Sequence, residues 1–102
     1  MRAVIADWRR SPFTPAHKGA LSSIRPDELA AQVIQALMSE SGLDHGKIDE
    51  IIVGCAYPEG EQGYNIGRIL AFLGGFTDQT PGSTINRLCG SSMQSILSAS
   101  AF

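Results

Sequence analysis

Three short strand candidates, two of them apolar runs and each followed by turn chemistry and then helical spacing, constrain this chain more than any other feature. Residues 2–8 carry Ala3-Val4-Ile5-Ala6, residues 48–56 carry Ile51-Ile52-Val53, and residues 82–87 form the third candidate ahead of Leu88-Cys89-Gly90. The first two, as continuous apolar runs of this length, suit strands covered on both faces. Strands that alternate with helices return in the same direction, so the order β-α-β-α-β-α predicts an α/β fold with a parallel or mixed sheet and right-handed crossovers.

The segments between the runs have their own punctuation. Pro12 and Pro15 exclude a central strand from the loop after residue 8. Pro26 suits a first helical position, with Asp27 and Glu28 facing the positive helix end. Leu29, Val33 and Leu37, with Ala30, Ile34 and Met38 beside them, then make one apolar face, and Gly42 stops the helix. Asn65 is the expected N-cap of a second helix through Ile69, Leu70 and Leu73, closed by Gly74-Gly75. The final segment runs from Gly90 to the end of the chain without a Gly, Asn, Lys or Arg to close it. The expectation is therefore a piece of a larger fold, residues 1–102 being one partial N-terminal domain that stops soon after the cysteine helix begins.

Charge and cysteine usage exclude several functions. A net charge of -2 does not provide the basic face of a nucleic-acid binder. Residues 1–25 sum to +4 and the rest to -6, which resembles a transit peptide until residues 3–6 are read as a structural strand. No run approaches a membrane span or a signal peptide, so a soluble, intracellular, cytoplasmic protein is expected. Cys55 and Cys89 show no metal-ligand spacing, and no metal site or disulfide framework is expected. Cys55 reads as a small core hydrophobe. His17 and His45 read as exposed loop residues. The pairs Asp27-Glu28, Asp49-Glu50 and Glu59/Glu61 read as a helix turn, a strand edge and a loop, with no paired-carboxylate chemistry.

Cys89 carries the chemistry. A thiol between a strand and the first turn of a helix faces unpaired backbone amides, which favour the thiolate and can steady an oxyanion on an attacked carbonyl. Gly90 leaves room for an acyl group to approach the sulfur. Eight of the twelve residues from Gly90 to Ala101 are Gly, Ser or Ala, so this helix can pack its backbone closely against neighbours. Spacing alone leaves a packed structural thiol and a catalytic one equally open.

The run Asn86-Arg87-Leu88-Cys89-Gly90-Ser91-Ser92-Met93-Gln94 resembles the active-site cysteine motif of thiolases, in particular the degradative 3-ketoacyl-CoA thiolases of fatty-acid β-oxidation. Arg10-Ser11-Pro12-Phe13 is similar to that family's early Arg-Thr-Pro loop, and residues 61–68 to its Glu-Gln-Gly-aromatic-Asn-Ile-Ala-Arg segment. The resemblance implies the N-terminal part of a layered α/β/α/β/α fold and an acyltransferase in which Cys89 holds an acyl thioester. It implies CoA and acyl-CoA as substrates and no cofactor. The activating histidine and second acid/base cysteine belong to family segments that these residues do not match, so the chain alone is expected to be inactive. The resemblance also implies a homodimer or dimer of dimers with residues 83–87 at the subunit contact, and leaves room for a hydratase/dehydrogenase partner. Asn65 and Arg68 are expected to act as a cap and a local ion pair. Two alternatives share these residues: a condensing enzyme of the ketoacyl-synthase type, and a non-catalytic chain with Cys89 packed away.

Overall fold

The computed structural model describes residues 2–102. Helix α1 (Pro26–Ser41) begins with Pro26 in its first turn and ends at Gly42, whose φ of 70° only glycine adopts at no cost. Strand β1 (Ile51–Gly54), helix α2 (Ile66–Leu73), strand β2 (Gly82–Ile85) and helix α3 (Ser91–Ala99) follow. Single turns of 3-10 helix at His45–Lys47 and Gly60–Gln62 flank β1.

The two strands pair in parallel, Ile51 opposite Gly82 through Gly54 opposite Ile85. Hydrogen bonds from Ile51 N–H to the Pro81 carbonyl and from Cys55 N–H to the Ile85 carbonyl, both 3.0 Å, extend the ladder at its two ends. Alternation along the strands separates the layers. Val53 packs on the core cluster of Ala31, Cys55, Ile66 and Leu70, on the side of α1 and α2. Gly54 points the other way, where a Cβ would lie 2.4 Å from the Ser92 amide nitrogen of α3. The result is helix, sheet, helix: α1 and α2 on one face and α3 on the other.

Helix α2 meets the sheet backbone to backbone. A Cβ on Gly67 would lie 2.1 Å from the Ser83 carbonyl oxygen, and one on Gly82 would lie 2.3 Å from that of Gly67. Distances below 3.0 Å to backbone cannot be relieved by a side-chain movement, so these two glycines set the spacing. Polar groups secure the same contact. Asn65 caps α2 by accepting from Arg68 N–H, donates from Nδ2 to the Gly82 carbonyl at 2.7 Å, and accepts from the Thr84 hydroxyl at 2.7 Å; Thr84 Oγ1 in turn accepts from Gly67 N–H at 3.0 Å.

Three expectations need correction. Residues 2–8 form no strand: they carry no regular structure and are exposed, with Val4 and Ile5 80% and 76% accessible, because no neighbouring strand among the described residues offers a ladder. Arg9 anchors the end of this segment instead, to Asp7 at 2.7 Å and across to Glu40 of α1 at 2.8 Å. Arg68 forms no ion pair among the described residues; its guanidinium donates to the Thr80 and Asp78 carbonyls and lies 4.1 Å from the centroid of the Phe72 ring. His45 is half-buried, not exposed, with its ring 4.9 Å from that of Phe76.

The start of α1 is charge-locked. Asp27, buried, accepts from Arg25 at 3.1 and 3.0 Å and from Glu28 N–H at 2.9 Å, and Glu61 approaches Arg25 at 3.9 Å. The Arg25 hydrogen bonds hold the Asp27 carboxyl below the usual aspartate value of 3.8.

Candidate active site

The turn from β2 into α3 is built around an unfavourable conformation. Leu88 has φ of 49°, the left-handed region, which costs a non-glycine residue about 1 kcal/mol or more. Such a conformation persists only where surrounding bonds over-determine it. Leu88 N–H donates to Asn86 Oδ1 at 2.9 Å, an Asx turn, and Gly90 N–H donates to the Arg87 carbonyl at 3.1 Å. Ser91 closes the turn twice. Its amide donates to the Leu88 carbonyl at 3.1 Å, while its hydroxyl donates to that same carbonyl at 2.6 Å and accepts from Arg87 N–H at 2.9 Å.

Ser91 is only 3% accessible, and its own carbonyl accepts from the Ser95 hydroxyl one turn along at 3.1 Å. Arg87 and Gln94 add a side-chain bridge over the turn. The start of α3 also rests against β1, where Gly54 leaves no atom between the strand and the backbone of Ser91 and Ser92. The small-residue composition of this helix is thus used as expected: its first turn approaches a strand at backbone distance.

Cys89 emerges from this arrangement exposed and unpaired with Cys55. It stands one residue before the N-cap Gly90, just outside the helix, where the first-turn amides of α3 lack intrahelical acceptors. Among the described residues nothing packs over the Cys89 side chain. Gly90 differs from the glycines under the helices: a Cβ there would meet only the Arg87 carbonyl oxygen at 3.5 Å, an ordinary contact, so the fold itself does not demand glycine.

Cys55 is the opposite case. It lies in the core cluster, 8% accessible, beneath Gln62, whose amide reaches its sulfur at 3.6 Å and the Tyr57 carbonyl at 2.9 Å. His17 is exposed at a left-handed loop position and His45 packs on Phe76, so neither belongs to the cysteine turn. The acidic pairs are also accounted for structurally where contacts exist: Glu50 accepts from the Ser83 hydroxyl at 2.8 Å, and Asp27 holds Arg25. Among the described residues no group of three or more His, Cys, Asp or Glu could hold a metal ion, and no helix is long and apolar enough to cross a membrane.

Sequence reasoning singled out Cys89 and missed the residues that brace its turn. Ser91 is one serine among several in its helix. The spacing Asn86-x-Leu88 carried a usable signal, since an Asn two residues before an amide is the pattern of an Asx turn.

Comparison with known proteins agrees across nearly the whole chain. A sequence model described as thiolase, N-terminal domain, matches residues 3–101. A 3-ketoacyl-CoA thiolase of Bacillus subtilis is 43% identical over 94 residues, which is 92% of this chain and 24% of that protein. Its counterpart in Saccharophagus degradans is 38% identical, over 96% of this chain and 25% of that protein. The solved structure of an acetyl-CoA acetyltransferase from Syntrophomonas wolfei superimposes with a TM-score of 0.74 at 30% identity, covering 86% of this chain and 22% of that one. The chain therefore spans about a quarter of the length of the curated relatives it matches.

Proposed function

The chain belongs to the thiolase family, and from that premise we propose that Cys89 is the acyl-accepting nucleophile of a 3-ketoacyl-CoA thiolase of the β-oxidation type. One observation carries the reading: of the two cysteines, Cys55 is sealed in the core and Cys89 is held exposed on a braced left-handed turn at the start of a helix. A nucleophile needs access and fixed geometry together, and this turn provides both.

In the proposed reaction the Cys89 thiolate attacks the 3-keto carbon of a 3-ketoacyl-CoA and forms a carbon-sulfur bond. The bond between C2 and C3 then breaks, its electron pair leaves on C2, and protonation of that carbanion gives acetyl-CoA. The shortened acyl chain remains as a Cys89 thioester. The thiolate of a second CoA attacks this thioester, releasing acyl-CoA and restoring the cysteine. Run backwards, the same steps form a carbon-carbon bond. In this proposal the first-turn amides of α3 that the turn does not already use, those of Ser92 and Met93, steady negative charge beside the sulfur. The open space around Gly90 supports the approach of an acyl group.

Proton transfers in this scheme fall to a histidine and a second cysteine for which residues 1–102 have no counterpart. As a partial N-terminal thiolase domain, the chain alone is proposed to be inactive. CoA and acyl-CoA are the substrates. A cytoplasmic location and a homodimer or dimer of dimers complete the proposal, with residues 83–87 at the subunit contact and a hydratase/dehydrogenase partner compatible with it. The two-stranded sheet supports the contact, since each of its strands has one unpaired edge among the described residues.

The test uses the protein encoded by the full reading frame. Incubation with acetoacetyl-CoA, without free CoA, should leave an acetyl group on the peptide containing Cys89, discharged when CoA is added. Cys89→Ser should abolish both adduct and turnover. An adduct on another residue, or turnover in Cys89→Ser, would overturn the assignment.

A further inference from the structure

We infer that Ser91 is a positioning residue for the Cys89 thiol, acting through the backbone of Leu88; the inference rests on Cys89 being the nucleophile. A leucine does not stay at φ of 49° without being held there. The Ser91 hydroxyl takes the Leu88 carbonyl as acceptor at 2.6 Å and the Arg87 N–H as donor at 2.9 Å, so one buried oxygen ties the Asn86–Arg87 peptide to the Leu88–Cys89 peptide. Asn86 fixes the Leu88 amide from the other side, and Ser95 fixes the Ser91 carbonyl.

Serine at this place does more than begin a helix. Cap residues ordinarily accept from amides of their own first turn, whereas Ser91 lies inside α3 and bonds backward, out of the helix and into the turn. The Cα of Cys89 follows directly from the Leu88 torsions. Without the bridge, relaxation of Leu88 toward negative φ swings the thiol away from the first-turn amides of α3. A displacement of about 1 Å at a reacting atom costs on the order of 100-fold in rate.

Ser91→Ala removes the oxygen and changes no other atom of the side chain. In the full-length enzyme kcat should fall about 10- to 100-fold with KM within about twofold, since the hydroxyl does not touch substrate. Iodoacetamide should alkylate Cys89 more slowly by a similar factor. Ser91→Thr, which keeps the hydroxyl, should retain most of the parental rate. Asparagine adopts left-handed torsions readily, so Leu88→Asn in the Ser91→Ala background should recover much of the lost alkylation rate and kcat. A residue that served only helix packing would give no such recovery. Where Ser91→Ala does not fold, the double variant decides: a folded, reactive protein supports the inference, and a second unfolded one overturns it. Unchanged kcat in folded Ser91→Ala also overturns it, even when Cys89→Ser is dead. Turnover in Cys89→Ser defeats the nucleophile assignment instead, so the two failures are told apart.

Discussion

The two faces of the sheet use the same device, a glycine under a helix, to different ends. On the α1/α2 face, Gly67 and Gly82 bring α2 against β2, and the space is then filled: Ile66, Leu70 and Ala71 are buried, and Asn65 and Thr84 tie the helix to the strand. On the α3 face, Gly54 brings the helix start against β1, but the large apolar side chains of the helix stay open, with Met93, Ile96 and Leu97 all more than half exposed. Residues 3–5 lie alongside as one wall of a shallow groove of about 370 Å³ that Ile96, Leu97 and Ala99 complete. One face is a finished core. The other presents an exposed cysteine on a turn that is hydrogen-bonded at its base.

The contrast can be broken most severely at Gly67. Gly67→Ala places a methyl 2.1 Å from a backbone oxygen and should destabilise by about 3 kcal/mol or more, unfolding a marginal protein; thermal melts read this directly. Gly90→Ala sharpens the same comparison. Its Cβ meets ordinary contact only, so the melting temperature should hold while turnover falls about tenfold from crowding at the sulfur. If Gly90→Ala instead unfolds the protein and Gly67→Ala does not, the division of the two faces is wrong.

Asn65→Ala is a smaller perturbation of the closed face. It removes a helix cap and leaves the Gly82 carbonyl without its side-chain donor, and should cost about 1–2 kcal/mol in chemical denaturation with little effect on Cys89 labelling. The smallest effect is electrostatic. Asp27 titrates below 3.8 in the folded chain, so between its folded and unfolded values the unfolded state binds more protons. Its contribution is therefore complete above the unfolded value and is lost as pH falls through the lower folded value. Asp27→Asn should flatten the acid limb of a stability profile and leave the neutral region nearly parallel to the parent.

What the sequence made legible was local. Pro26, Gly42, Asn65 and Gly74 mark helix ends through torsions and caps that neighbouring residues decide, and all four stand where expected. The Cys89 turn was legible for the same reason. Pairing and partner choice were not. Residues 3–6 have strand composition, but a strand exists only with a ladder, and the described residues supply none. Arg68 invited an acidic partner by charge and found backbone carbonyls brought near by the loop after α2. Ser91 was hidden because its role depends on a left-handed leucine that composition does not reveal.

The difference between the two cysteines tests the account most directly. Peptide-mapped alkylation of the native full-length enzyme by iodoacetamide, quenched at intervals, should show Cys89 modified first and activity lost in step with it. Cys55 should react only after denaturant opens the core. Modification of Cys55 ahead of Cys89, or full alkylation of Cys89 with activity retained, would contradict it.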